Sequence, residues 1–167
     1  MRLMTKAMIL TAGLVLAACT NPNSFGRGGG DALNGAGAAG SASDPTSVAY
    51  FEQAVGDRVL FAVDQSTIAS DYVEVLNGQA NWLTTNGDFV AVIEGHADEQ
   101  GTSEYNLALG ARRANAVREY LISRGVAGNR LQVVSYGKER PIEVCSDEAC
   151  YTKNRRAVTV LSSGLSG

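Results

Sequence analysis

Histidine is nearly missing from this chain: His96 is the only one among 167 residues. That excludes the helical His-Glu-x-x-His zinc site and leaves no nucleophile–base–orienter set to argue for an enzyme. Cysteine is equally sparse, with Cys19, Cys145 and Cys150 alone, so no four-cysteine metal site can be built. There is no excess of positive charge either. A formal net charge of −3 gives no pull toward nucleic acid, and no such partner is expected. Beyond the first 18 residues no apolar run is long enough to span a bilayer, and no repeat or heptad pattern appears.

What is present begins with a leader. Arg2 and Lys6 precede an apolar run over 7–18, the pattern of a secretory signal peptide. The run ends in Leu16-Ala17-Ala18-Cys19, which resembles the bacterial lipobox; that resemblance makes Cys19 the first mature residue and its lipidation site. Two or more lipid signals anchor a protein stably, so a triacylated Cys19 would hold it at the membrane. Thr20 stands where inner-membrane retention would require aspartate, which favours the outer membrane, with the folded part on its periplasmic face. In that oxidising compartment Cys145 and Cys150 are expected to pair as a local disulfide. Seven glycines lie between Gly26 and Gly40. The Gly/Ala/Ser-rich stretch behind Cys19 reads as a flexible tether, ~30 Å end to end as a coil and ~95 Å if pulled straight. The expected divisions are 1–18 signal, 19–49 lipidated cysteine and linker, 50–163 domain and 164–167 tail.

Within the domain, residues 58–63 are β-prone. Ser70 is a candidate N-cap for a helix whose apolar positions Tyr72, Val75, Leu76, Ala80 and Leu83 run to Asn86-Gly87. Residues 89–94 read as a strand, Ser103 opens a second helix with Ala114, Val117 and Leu121 as its apolar stripe, and 131–136 and 156–161 read as strands. The loop between those last two carries Pro141 and the cysteine pair. The fold class is therefore α/β, an α+β sandwich in the order β-α-β-α-β-β with its helices on one sheet.

The densest polar stretch is GHADEQGTSEYNLALGARRAN, residues 95–115. His96, Asp98 and Glu99 could ligate a metal, but the missing second histidine argues against one. Two carboxylates in the turn before the second helix would repel a phosphate. Adjacent Asp98 and Glu99 suit neither glycosidase geometry. A zwitterion fits better. Asp98 lies in the turn, and Asn106 and Arg113 share a helix face, since seven residues return to within ~20°. That face reads as distinct from the apolar stripe of Ala114, Val117 and Leu121. An anion and a cation bordering one groove could grip the ammonium and carboxylate of one small molecule. From spacing alone, an internal Asp98–Arg113 salt bridge or two unrelated solvated charges explains the pattern at least as well.

EGHADEQGTSEYNLALGARRANAVREYL, followed by VVSYGKERP and NRRAV, strongly resembles the signature of OmpA-like peptidoglycan-binding domains. With the lipobox and linker, the chain is similar to the peptidoglycan-associated lipoproteins of the Tol–Pal system. The resemblance implies two main helices on a four-stranded mixed sheet and a non-enzymatic, cofactor-free role in envelope integrity and cell division. It implies that Asp98 and Arg113 clasp the side-chain end of diaminopimelate in the peptidoglycan stem peptide. Asn106 and Leu109 would line the groove, and Gly101 and Thr102 would offer backbone and hydroxyl contacts. The first strand of the family commonly continues F-D-F-D, whereas Phe61-Ala62-Val63-Asp64 stands here, leaving Asp64 as the carboxylate. Asn154-Arg155-Arg156 would support either groove or fold. TolB is the implied protein partner; a related lipoprotein with the same wall contact but no TolB is the other possibility.

Overall fold

The computed structural model describes residues 40–163, apart from Cys145; the signal, Cys19, most of the linker and residues 164–167 lie outside them. A short helix α1 (Val48–Tyr50), capped by Ser47, runs into a π-helical turn, Phe51–Gly56. Then follow β1 (Arg58–Leu60), α2 (Val73–Thr85), β2 (Phe89–His96) and α3 (Ser103–Ser123). β3 (Leu131–Gly137), α4 (Glu148–Asn154) and β4 (Arg156–Ser163) complete the order. The sheet runs β1-β4-β2-β3, with β2 parallel to β3 and β4 antiparallel to both its neighbours. A parallel pair needs a crossover, and α3 is that crossover.

The strands' helix-side residues form one core with α2 and α3: Val59, Ala91, Ile93 and Ala157 meet Leu76, Leu83, Ala114, Val117 and Leu121. Helix α3 sits on the sheet backbone to backbone. A Cβ on Gly95 would lie 1.9 Å from the Gly110 oxygen, and one on Gly110 would lie 2.4 Å from Ser135 Oγ. Only glycine at both positions lets helix and strand approach this closely.

Four features differ from the sequence reading. Packed chain starts before Tyr50: Trp82 Nε1 donates to Pro45 O at 2.7 Å, and the Trp82 ring lies 5.1 Å from Phe51. β1 stops at Leu60, because the carbonyls beyond it turn toward arginine side chains instead of a neighbouring strand, Phe61 O toward Arg155 and Ala62 O and Gln65 O toward Arg113. Ser70 opens a 3-10 turn, Ser70–Tyr72, that leads into α2, and its side chain bonds Asp71. The cysteine-bearing loop contains α4, capped by Asp147.

A polar corner between the second strand and its crossover helix

β2 and β3 slip register between Gly95 and His96, and the chain leaves the sheet immediately afterwards. Asp98 Oδ1 accepts from Gln100 N at 3.2 Å, an Asx turn that holds the carboxylate in place. Gly101 takes φ +89°, which a side chain would resist. Thr102 then caps α3, its hydroxyl oxygen accepting from Tyr105 N at 3.2 Å. Asn106 Nδ2 donates back to Gln100 O at 2.8 Å. The turn is thus tied to the first helical turn at two points.

Arg113 lies two turns further along and is fully buried. Its Nε donates to Gln65 O at 2.7 Å, Nη1 to His96 O at 2.8 Å and Nη2 to Ala62 O at 3.1 Å. The guanidinium also lies 5.3 Å from the centre of the Phe61 ring. Among the described residues no carboxylate comes within 4.0 Å of it. Burial pulls its pKa down to about 10 against the attraction of Asp98, so it remains a cation at neutral pH. The internal Asp98–Arg113 salt bridge is not formed. Asp98 Oδ2 accepts instead from Arg155 Nη1 at 3.1 Å, a pair almost wholly buried.

Asn106 and Arg113 do not face away from the apolar stripe. Asn106, Gly110, Arg113 and Val117 fall within ~60° at ~100° per residue, and all four are buried. The helix has one buried side whose first half is polar.

These groups surround a cleft of about 200 Å³, lined by Asp64, Asp98, Gly101, Asn106, Leu109 and Arg113, with Val63, Gln100 and Tyr105 completing it. Two of the expected contacts lie elsewhere. Phe61 is buried beneath the cleft, under the Arg113 guanidinium, and the Thr102 oxygen is occupied as a cap. Arg155 was visible in sequence only as part of an Asn-Arg-Arg run. Here it bonds Asp98, Phe61 O at 3.1 Å, Thr152 Oγ1 at 3.0 Å and the carboxylate of Glu148. α4 therefore braces the cleft, and Tyr151 adds a bond from its hydroxyl to Glu99 at 3.0 Å.

His96 contributes its carbonyl, not its ring. The ring is buried against Tyr136, with neither nitrogen hydrogen-bonded within the protein. Burial, reinforced by Arg156 and Arg140, lowers its pKa to about 4. Among the described residues no group of three metal-binding side chains is assembled, and no helix is long and apolar enough to cross a membrane.

Comparison with known proteins agrees with this architecture. The OmpA family model matches residues 60–155. A peptidoglycan-associated lipoprotein from Mesorhizobium japonicum is 50% identical across 92% of this chain and 89% of its own. The crystal structure of the peptidoglycan-associated lipoprotein from Burkholderia pseudomallei superposes with a TM-score of 0.66 at 37% identity, covering 71% of this chain and 100% of that one. The C-terminal domain of Helicobacter pylori MotB shares the fold, with a TM-score of 0.60 at 24% identity over 65% of this chain and 86% of that one. A buried cation and a fixed carboxylate at the corner between β2 and α3 thus sit on a known scaffold, and the chain belongs to the OmpA family, alongside its peptidoglycan-associated lipoproteins.

Proposed function

We propose that this protein is a non-enzymatic tether. Acyl chains on Cys19 hold it in the outer membrane, and the domain binds peptidoglycan in the periplasm through the diaminopimelate of the stem peptide. The observation that carries this reading is the Arg113 guanidinium: a fully buried cation with no carboxylate of the described residues within 4.0 Å, lining a cleft that also holds Asp98 and Asp64. Buried charge is normally compensated. A ligand carboxylate would supply that compensation, and its ammonium would meet the aspartates. Diaminopimelate offers both groups at its side-chain end; lysine offers the ammonium alone. Asp64, Asn106, Leu109 and Gly101 shape the groove, while Phe61 and Thr102 act through Arg113 and the helix cap. Many weak wall contacts acting together, through high effective concentration, make a strong attachment.

The names of the relatives support the wall contact and the lipid anchor. The cleaved signal over 1–18 rests on the basic and apolar pattern of its residues; TolB as partner and a role in the Tol–Pal system rest on the resemblance alone. A Cys145–Cys150 disulfide is supported by the disulfide-bonded state of Cys150, with Cys145 outside the described residues.

Co-sedimentation with purified sacculi tests the reading: diaminopimelate-type walls should retain the protein and lysine-type walls should not. Equal retention would remove the proposed role of Arg113. Capture of TolB from periplasmic extract separates a Tol–Pal lipoprotein from a relative without that partner.

A further inference from the structure

Asp64 is the only described non-glycine residue with left-handed backbone, φ 56°. Such a conformation is uncommon away from glycine and marks a residue held by its surroundings. The carbonyls of Ala62 and Gln65 on either side both accept from Arg113, and Gln65 N donates to Ala62 O at 3.2 Å. The carboxylate this turn presents already has a partner. Across the cleft, the Tyr105 hydroxyl donates to Asp64 Oδ1, and both side chains line the cavity. The two sides of this contact differ in freedom. Asp64 is fixed through its backbone, whereas Tyr105 stands in the first turn of α3 and is 44% exposed. On the same helix the Arg112 guanidinium lies 5.9 Å from the Tyr105 ring centre, a cation–π contact already in place while the hydroxyl bonds Asp64.

We propose that Tyr105 gates the cleft: its hydroxyl occupies the Asp64 carboxylate when the cleft is empty, and an incoming ammonium takes that carboxylate by displacing it. The inference rests on the diaminopimelate reading above and adds a competitor inside the site. It makes Tyr105 a residue that weakens binding, in contrast to every other group in the cleft. The raised pKa of the Tyr105 phenol, whose first cause is the bond to Asp64, agrees with the contact.

Tyr105→Phe removes the hydroxyl and leaves the ring. With the full mature chain in detergent micelles, the tripeptide L-alanyl-γ-D-glutamyl-meso-diaminopimelate is titrated calorimetrically. A hydrogen bond of ordinary net strength implies that Kd falls about two- to tenfold in Tyr105→Phe. Asp64→Gly, which removes the acceptor and tolerates the left-handed backbone, should weaken binding, and Tyr105→Phe added to it should change nothing further, the non-additivity expected of groups in contact. Unchanged or weaker binding by Tyr105→Phe overturns the gate, as does the same gain in the Asp64→Gly background. A second readout needs no change at Tyr105: with isotope-labelled tyrosine, ligand should shift the Tyr105 resonance in the wild type, and a resonance that stays put also overturns the gate. Failure of the wild type to bind the tripeptide would instead refute the ligand assignment, and the gate with it.

Discussion

Replacing Arg113 by alanine should damage the fold as well as the cleft, although Asp98 and Arg113 are equal partners in the zwitterion reading. The substitution removes the donor from three carbonyls, of which Ala62 O keeps the bond from Gln65 N while Gln65 O and His96 O are left without theirs. An orphaned buried polar group costs ~1–3 kcal/mol. The cleft lies alongside, so water can reach part of the vacated space and the lower end of that range applies. The total comes to ~2–3 kcal/mol. For a domain of this size each kcal/mol lowers the melting temperature by about 3–5 °C, so a drop of roughly 6–15 °C is expected. Thermal unfolding followed by circular dichroism measures it on the soluble chain beginning at Thr20. Asp98→Asn, isosteric and still able to accept from Gln100, should stay folded, melt higher than Arg113→Ala and lose sacculus binding. If Arg113→Ala melts within about 3 °C of the wild type, the three-carbonyl anchoring is wrong and Arg113 serves the ligand only.

Arg155→Met should weaken sacculus binding about tenfold or more by releasing Asp98, the effect of removing one partner of a buried pair, while Glu148→Gln, on the exposed side of the same guanidinium, should change it little; co-sedimentation of both variants decides. Stability should fall on acidification before carboxylates matter. His96 binds its proton at about 4 when folded and near 6.5 when free, so the unfolded state takes up more protons between those values. The loss is absent above ~6.5, grows as pH falls toward ~4 and totals ~3 kcal/mol; His96→Phe should flatten the melting temperature over that window. Gly95→Ala and Gly110→Ala should each destabilise by ~3 kcal/mol or more, since backbone or a packed hydroxyl stands where the new methyl would go; denaturant midpoints measure this.

Much of the scaffold was legible because hydrophobic period alone reveals it: β2, β3, β4, α2 and α3 carry their core residues at strand or helix spacing. The failures have physical causes. Ala62 and Val63 look β-prone, but their segment is claimed by a side chain some 50 positions away, which no local pattern records. Asn106 and Arg113 read as a face apart from the apolar stripe because polar residues are usually exposed; they are buried with that stripe because backbone carbonyls satisfy them. The seven-residue α4 is too short for a period to emerge, leaving Asp147 as its only local signal. Charge and spacing bring Asp98 and Arg113 together and the family resemblance supplies their ligand, whereas the partnership of Asp98 with Arg155 spans 57 positions and required the fold.

The position of β1 also has a mechanical meaning. For a chain pulled at its N-terminal end and held at the cleft, the direct covalent path runs from Gly40 through Phe51 and β1 to Asp64. Along it, the Trp82–Pro45 hydrogen bond and the buried Phe51 ring take load first. Next comes an edge strand joined to β4 through only three residue pairs. Behind that ladder stand the Ala62 and Gln65 carbonyls that anchor Arg113. Force strong enough to strip β1 would therefore reach the arginine's anchorage next, so the grip and the strand fail together.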